Sequence, residues 1–396
     1  MTMKLEHAET PCVIVATGGC WGNLLAFVRS LGSRGVDVYL VGVGCDLAVA
    51  GSSRYCAGIV RLIGGSDIEV ANQLLHWRWE KGWSNNPVLF FVSERLGRMF
   101  CYQRKELETG FVVPMPDAEV LGRLLRKDAG LEIARQAGLS VPKSWPVTTE
   151  QEMKQACESA ILPVVLKPLG ADTLGIANFK ASVVESRDAL YRLASTYWSS
   201  GAHFLIQQYI PGEDATLWAY QFYRSRNTGK VYEWTGRKLL QSPPGAGIMA
   251  SGIACSAPHV ADAARKYVIA SGYWGIGGVE FKEYKGELYF IEMNPRAEAI
   301  QPMAISDGMD FPVMAYAEAS GQNIPDLNVV SLVSDYVDGE AYLGILIRKK
   351  RFYYLTDLIK KVSRCKTVFP VWRIDDPRPF VFSTWMILKR LMKRAF

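Results

Sequence analysis

Two apolar-bounded runs joined by a tight turn, residues 279–282 and 289–296, constrain this chain more than any other feature. Tyr284-Lys285-Gly286-Glu287 lies between them, and Lys285-Gly286 is good hairpin-loop chemistry between runs rich in aromatic and branched residues. An antiparallel hairpin brings its strand ends side by side, so Glu280, Glu292 and Asn294 are expected to converge on one face. Alternation along the second strand puts Glu292 and Asn294 on the same side. Three oxygen donors without His or Cys suit a hard cation such as Mg²⁺ (or Mn²⁺), which usually keeps substrate phosphates among its ligands. Arg296 follows on that face, placed for phosphate or carboxylate binding. The alternative is a solvated hairpin whose charges only face water.

At 396 residues the chain is long enough for two or three domains, and 49% hydrophobic with 21% charged residues excludes a disordered class. Its eight cysteines include no C-x-x-C pair, so neither a disulfide framework nor a zinc site is expected. Four histidines occur, none at metal-ligand spacing. No apolar run reaches membrane-spanning length and no signal-peptide core opens the sequence, so the expected location is cytoplasmic.

Residues 12–17 read as a short buried strand, and the glycine-rich turn at 18–23 opens a helix with Leu24, Leu25, Phe27, Val28 and Leu31 on its apolar face. Residues 36–43 read as the next strand, which completes a βαβ unit of a parallel sheet. The turn lacks G-x-G-x-x-G, so a dinucleotide site is not the preferred reading. A helix is expected near 67–79 and a strand at 87–92. The Pro114-Met115-Pro116 stretch marks a boundary, after which helical periodicity runs from 118 to 138. Strands at 164–167, 203–209, 215–224 and 231–241 and a helix at 186–199 follow.

Lys167 ends the apolar run 162–168 beside a small loop, 170–175, whose backbone could approach an anion together with the lysine. The strand 204–210 breaks at Pro211-Gly212, and such an edge can offer backbone groups to a purine, with Asp214 free for a ribose hydroxyl. The order Lys127, Lys167, 207–214, Arg237, Glu280, Glu292-x-Asn294-x-Arg296 resembles the ATP-grasp superfamily over roughly residues 10–325. Within it the chain looks most like the carboxylate–amine ligases, the group with D-aspartate ligase-like and capsule-cluster enzymes, through residues 118–142, 235–244 and 308–312.

That resemblance implies an α/β and α+β architecture. A Rossmann-like pre-ATP-grasp domain would occupy residues 1–115, an ATP-grasp domain 116–325 and a basic C-terminal extension 326–396. It implies that Lys127 and Lys167 hold the ATP phosphates with Gly170, Thr173 and Gly175 in the phosphate loop. Gln207, Gln208, Tyr209 and Ile210 would form the adenine hinge, and Asp214 would meet the ribose. Glu280, Glu292 and Asn294 would bind Mg²⁺, while Arg237 and Arg296 would stabilise the transferring phosphoryl group. The sequence departs from the family in its Gln-Gln-Tyr-Ile hinge, where relatives often carry a glutamate. It departs again at Arg126-Lys127-Asp128, which replaces the commoner Asp-Lys order.

The implied activity is ATP-dependent amide or peptide formation through an acyl phosphate, releasing ADP and phosphate. Carboxylation or carbamoyl phosphate chemistry, or an inactive nucleotide-binding scaffold, are the alternatives. The partners would be a small-molecule or glycan-linked carboxylate and an amine, such as an amino acid; a homodimer stays open.

The last 52 residues hold 14 Lys/Arg against 3 Asp/Glu, a balance of +11 in a chain whose total is +6. The remainder is therefore net acidic. At the C-terminus Trp385, Leu388, Leu391, Met392 and Ala395 form one helical stripe, with Lys389, Arg390, Lys393 and Arg394 largely opposite. Such a helix can lie on an anionic membrane, but apolar stripes usually face a core, and packing is the favoured expectation. Lys349-Lys350-Arg351 and Lys360-Lys361 could draw an anionic acceptor such as a uronic-acid polysaccharide precursor. No nucleic-acid motif accompanies the charge.

Overall fold

The computed structural model describes residues 10–17, 21–170, 181–243, 247–327, 334–349, 352–363 and 366–395. The N-terminal region folds as a four-stranded parallel sheet with spatial order Cys56–Leu62, Val38–Val43, Cys12–Ala16, Val88–Phe91. Every residue of Cys12–Ala16 is buried, because a central parallel strand is covered on both faces. The helix Trp21–Gly32 covers one face, and its Leu24, Leu25, Phe27, Val28 and Leu31 enter the core. On the opposite face the helix Asp67–Glu80 opens with a capping box between Ser66 and Glu69.

The expected helix over 118–138 is two helices, Ala118–Leu124 and Lys127–Gln136. Arg126 leaves helical geometry to make a β-bridge with Gly170, and the Lys127 amide donates to Leu169 O at 2.9 Å. Side-chain periodicity carries no trace of that tertiary contact, which is why the break was hidden in the sequence.

A smaller antiparallel sheet follows, ordered Ser144–Val147, Phe204–Gln208, Val164–Pro168, Ser182–Val184. The largest sheet has seven strands, ordered Glu287–Asn294, Gly275–Tyr284, Leu217–Arg224, Val231–Ser242, Ile248–Ala254, Asp335–Val337, Thr367–Val368. All its pairings are antiparallel except the last. The expected hairpin sits at its edge. Lys285 and Gly286 both have positive φ, 52° and 79°, the geometry of a two-residue turn whose twist matches its strands.

Two strands from beyond residue 325 are thus built into the large sheet. Tyr342 and Ile345 of the helix Gly339–Lys349 pack on Ala250 and Val337. Lys361, which the sequence suggested could draw an anionic acceptor, is buried and pairs with Asp335 Oδ1 at 3.6 Å. The C-terminal helix Arg378–Ala395 also departs from expectation. It turns Pro379 and Ser383 inward and leaves Trp385, Leu388 and Met392 of the anticipated packing stripe exposed.

Candidate active site

In the hairpin Glu280 is paired directly with Glu292, and Gly278 with Asn294, so the two carboxylates and the amide share a face. A bulge after Glu280 locally increases the strand twist. Across the sheet Glu280 is level with Ala219, and Ala219 with Gly236, so Lys238, two residues on, shares that face. Its ammonium lies 2.8 Å from Glu280 Oε1. Lys167, from the smaller sheet, reaches across to 3.9 Å from Glu292 Oε2 and 3.5 Å from Ile291 O.

The two sheets enclose a cavity of about 510 Å³. Its lining includes Lys167, Gln207, Gln208, Tyr209, Ile210, Glu280, Glu292, Asn294 and Arg296 among the residues expected from sequence. Gln207 is buried and donates to Ser144 Oγ at 3.1 Å. The Gln208 amide donates to Lys143 O and that of Tyr209 to Pro163 O, so this stretch is held at both of those backbone donors.

The parallel sheet supplies another wall. Trp21, Gly22 and Asn23 begin the helix after Cys12–Ala16, and Glu94 begins the helix after Val88–Phe91. These two strands are neighbours whose chains leave in opposite directions across the sheet, the topological switch point where open α/β sheets bind ligands. Arg296 ties the walls together: its guanidinium lies 3.4 Å from Glu94 Oε1 and 3.3 Å from Asn294 Oδ1.

Four expected residues do not line the cavity. Arg237 points to the opposite face from Lys238, where its Nε donates to Ala215 O and its guanidinium lies 5.1 Å from the Trp218 ring centroid. Asp214 accepts from the Gln241 amide and from Gln241 Nε2, both at 2.8 Å, which satisfies its carboxylate internally. Lys127, at a helix start, is near enough for its charge to lower the Glu292 pKa. Gly170 is held in the bridge to Arg126. Thr173 and Gly175 lie outside the described residues.

Lys238, Lys282 and Glu298 are among the lining residues that were missed from sequence. Lys238 adjoins Arg237, and only strand phase says which of the two faces the cavity. Lys282 has its ammonium 4.7 Å from the centroid of the Tyr209 ring. Glu298 follows Pro295, which ends the strand, so alternation cannot place it. It accepts from Asn294 Nδ2 at 2.7 Å. A Cβ on Gly278 would come within 2.0 Å of Glu298 Oε2, so glycine is what lets this carboxylate sit over the hairpin.

The charges are strongly coupled to their surroundings. Burial pulls the Lys167 ammonium down to about 8, with Glu292 opposing that shift. Burial also disfavours charge on Lys238, but the ion pair with Glu280 outweighs it and the net direction is up. Burial would raise Glu292, yet Lys167, Lys127, Lys238 and Arg296 hold it below the usual range. Glu298 is pushed up to about 7 by burial and by Glu280.

Among the described residues no group of three or more His, Cys, Asp or Glu side chains could by itself hold a metal ion. The donors of Glu280, Glu292 and Asn294 nonetheless fit a hard cation that completes its shell with phosphate oxygens. Glu298 Oε2 is buried without a hydrogen-bond partner beside these groups, an unmet oxygen donor that a divalent cation would satisfy.

No family model matches the chain. A D-aspartate ligase of Enterococcus faecium (strain Aus0004) is 23% identical over 174 residues, 42% of this chain and 41% of that protein. The match thus spans about two fifths of the relative's length. Among solved structures, an ADP complex of N5-carboxyaminoimidazole ribonucleotide synthetase superposes with a TM-score of 0.62 at 15% identity, covering 88% of this chain and 87% of the other. An L-amino acid ligase from Bacillus licheniformis gives 0.57 at 14%, covering 77% and 73%. The chain has the ATP-grasp fold. In this fold the hairpin edge of the large sheet, the smaller sheet and the N-terminal parallel sheet all meet at one cavity.

Proposed function

We propose that the chain is an ATP-dependent carboxylate–amine ligase that forms an amide through an acyl phosphate and releases ADP and phosphate. One observation carries the reading: a single cavity joins the 207–210 stretch, two buried lysines, Arg296 and the Glu280/Glu292/Asn294 face. The likeness to D-aspartate ligase and to an L-amino acid ligase supports it. Residues 116–325 would then hold ATP, with the parallel sheet walling the acceptor side.

A carboxylate is a poor acyl donor because oxide is a poor leaving group. Its oxygen attacks the γ-phosphorus of ATP, the bond to the β-γ bridging oxygen breaks, and ADP departs with that electron pair. The amine nitrogen then attacks the acyl carbon, loses a proton, and phosphate leaves from the tetrahedral intermediate. Positioning and charge neutralisation dominate phosphoryl transfer, so no Ser or Cys nucleophile is needed. Lys167 and Lys238 would meet the phosphate oxygens from opposite sheets. Arg296, held by Glu94 and Asn294, would face the charge that develops at the acyl group. A divalent cation bound by Glu280, Glu292 and Asn294 would supply further neutralisation of the phosphates.

The test is ADP release over a grid of acids and amines, with mass spectrometry of the products and hydroxylamine to trap the acyl phosphate as a hydroxamate. Bicarbonate belongs in the grid, because the likeness to N5-carboxyaminoimidazole ribonucleotide synthetase covers most of the chain. ADP and a hydroxamate are expected with a productive acid; release of AMP and pyrophosphate instead would sink the acyl-phosphate route.

A further inference from the structure

The C-terminal helix Arg378–Ala395 docks on the N-terminal region beside the short helix Ala48–Gly51, with Pro379 and Ser383 buried. On its far side Val381, Trp385, Leu388 and Met392 recur at spacings of four, three and four, which is one stripe of an α-helix. They are 64%, 53%, 53% and 57% exposed. Near the start of the helix the rings of Trp372 and Phe380 meet at 5.2 Å, and Ile374 is 86% exposed. A row of large apolar side chains of this kind marks a docking surface.

Charge decides what docks. The helix carries Arg378, Lys389, Arg390, Lys393 and Arg394 and no Asp or Glu. The Lys389 ammonium lies 5.0 Å from the centroid of the Trp385 ring, so a cation borders the stripe itself. A second copy docking face to face would bring two strongly basic extensions together, which repels. Among the described residues no helix is long and apolar enough to cross a membrane.

We propose that this helix lies in the plane of an anionic lipid surface, with Val381, Trp385, Leu388 and Met392 entering the headgroup boundary. Tryptophan favours that boundary, and the basic residues gain from anionic headgroups. Binding is then the sum of apolar burial and electrostatic attraction, and neither alone suffices.

The test is flotation of the full chain with vesicles of phosphatidylcholine alone or mixed with phosphatidylglycerol. The protein should float with the mixed vesicles and not with the neutral ones, and high salt should weaken the association. Trp385→Glu and Leu388→Glu should each reduce it about tenfold or more, with melting temperatures unchanged because both side chains are already exposed. Lys389→Glu with Lys393→Glu should do the same through charge. A full chain that stays unbound with anionic vesicles, or a Leu388→Glu protein that floats like wild type, would overturn the proposal. So would a dimer seen by sedimentation velocity that Leu388→Glu dissolves while lipid binding is absent, since a second copy would then cover the stripe.

Discussion

Lys238 and Arg237 are neighbours in the chain and face opposite sides of one strand, one toward Glu280 and the other onto Trp218. The proposed chemistry therefore separates them sharply. Lys238→Ala should lower the rate of ADP formation by about 10²–10³-fold, the typical cost of losing one group that stabilises developing charge. Arg237→Ala should stay within a few-fold in the same assay, and the reverse ranking would reject the assignment of the cavity face. Glu292→Ala should nearly abolish turnover, because a divalent cation held there would lose a carboxylate ligand; activity near wild type would remove the hairpin from the mechanism. Residue types and their order made Lys167, Glu280 and Glu292 visible in the sequence. They could not rank Lys238 over Arg237, since a pair of adjacent basic residues reads the same in either strand phase.

At the scale of elements the hairpin was legible because its causes are local. Turn chemistry at Lys285-Gly286 and alternating side chains in both strands lie within twenty residues of one another. Its partner Glu298 was not, because that carboxylate occupies space left by Gly278 on the other strand. Gly278→Ala should displace Glu298 and reduce ADP formation while costing about 1–3 kcal/mol of stability, read by urea denaturation. An unchanged enzyme would show that the carboxylate has room to move.

A second element contact involves Glu318, on the helix Phe311–Ala319, which accepts from Tyr223 Oη at 2.6 Å, Ser225 Oγ, and the amides of Arg226 and Asn227 at 2.9 and 3.2 Å. Burial would raise this carboxyl, but the four donors outweigh it and hold it below its ordinary value. A depressed folded pKa stabilises above the unfolded pKa, about 4.3, and that contribution fades as pH falls through the folded value. Glu318→Gln should cost about 1–2 kcal/mol at neutral pH. The gap in melting temperature from wild type should close in acid; a gap independent of pH would assign the loss to packing.

Across the whole molecule, a buried ion pair fastens the C-terminal extension to the helix Trp21–Gly32 of the N-terminal region. Arg29 Nε lies 2.9 Å from Asp376 Oδ2, and its other nitrogens donate to Pro370 O, Val371 O and Asp376 O. Asp376, fully buried, also accepts from Ser53 Oγ at 2.7 Å and the Arg54 amide at 3.0 Å. Asp376→Ala leaves a buried guanidinium unpaired and should cost about 3–5 kcal/mol. Urea denaturation would measure it, and a loss under about 1 kcal/mol would mean that the extension is held elsewhere.

The amino-acid sequence alone determined the parallel N-terminal unit, the turn of the hairpin and the oxygen donors its strands carry. Each follows from periodicity or turn preference acting over a few residues. Tertiary structure alone decided the break at Arg126, the internal pairing of Asp214 with Gln241, the burial of Lys361 against Asp335 and the outward stripe of the last helix. In each of those cases the partner lies far along the chain or the face is chosen by a neighbouring element, and short-range pattern carries no record of either. The Glu280–Glu292 hairpin could be read from the chain; the cavity that it lines exists only where three sheets meet.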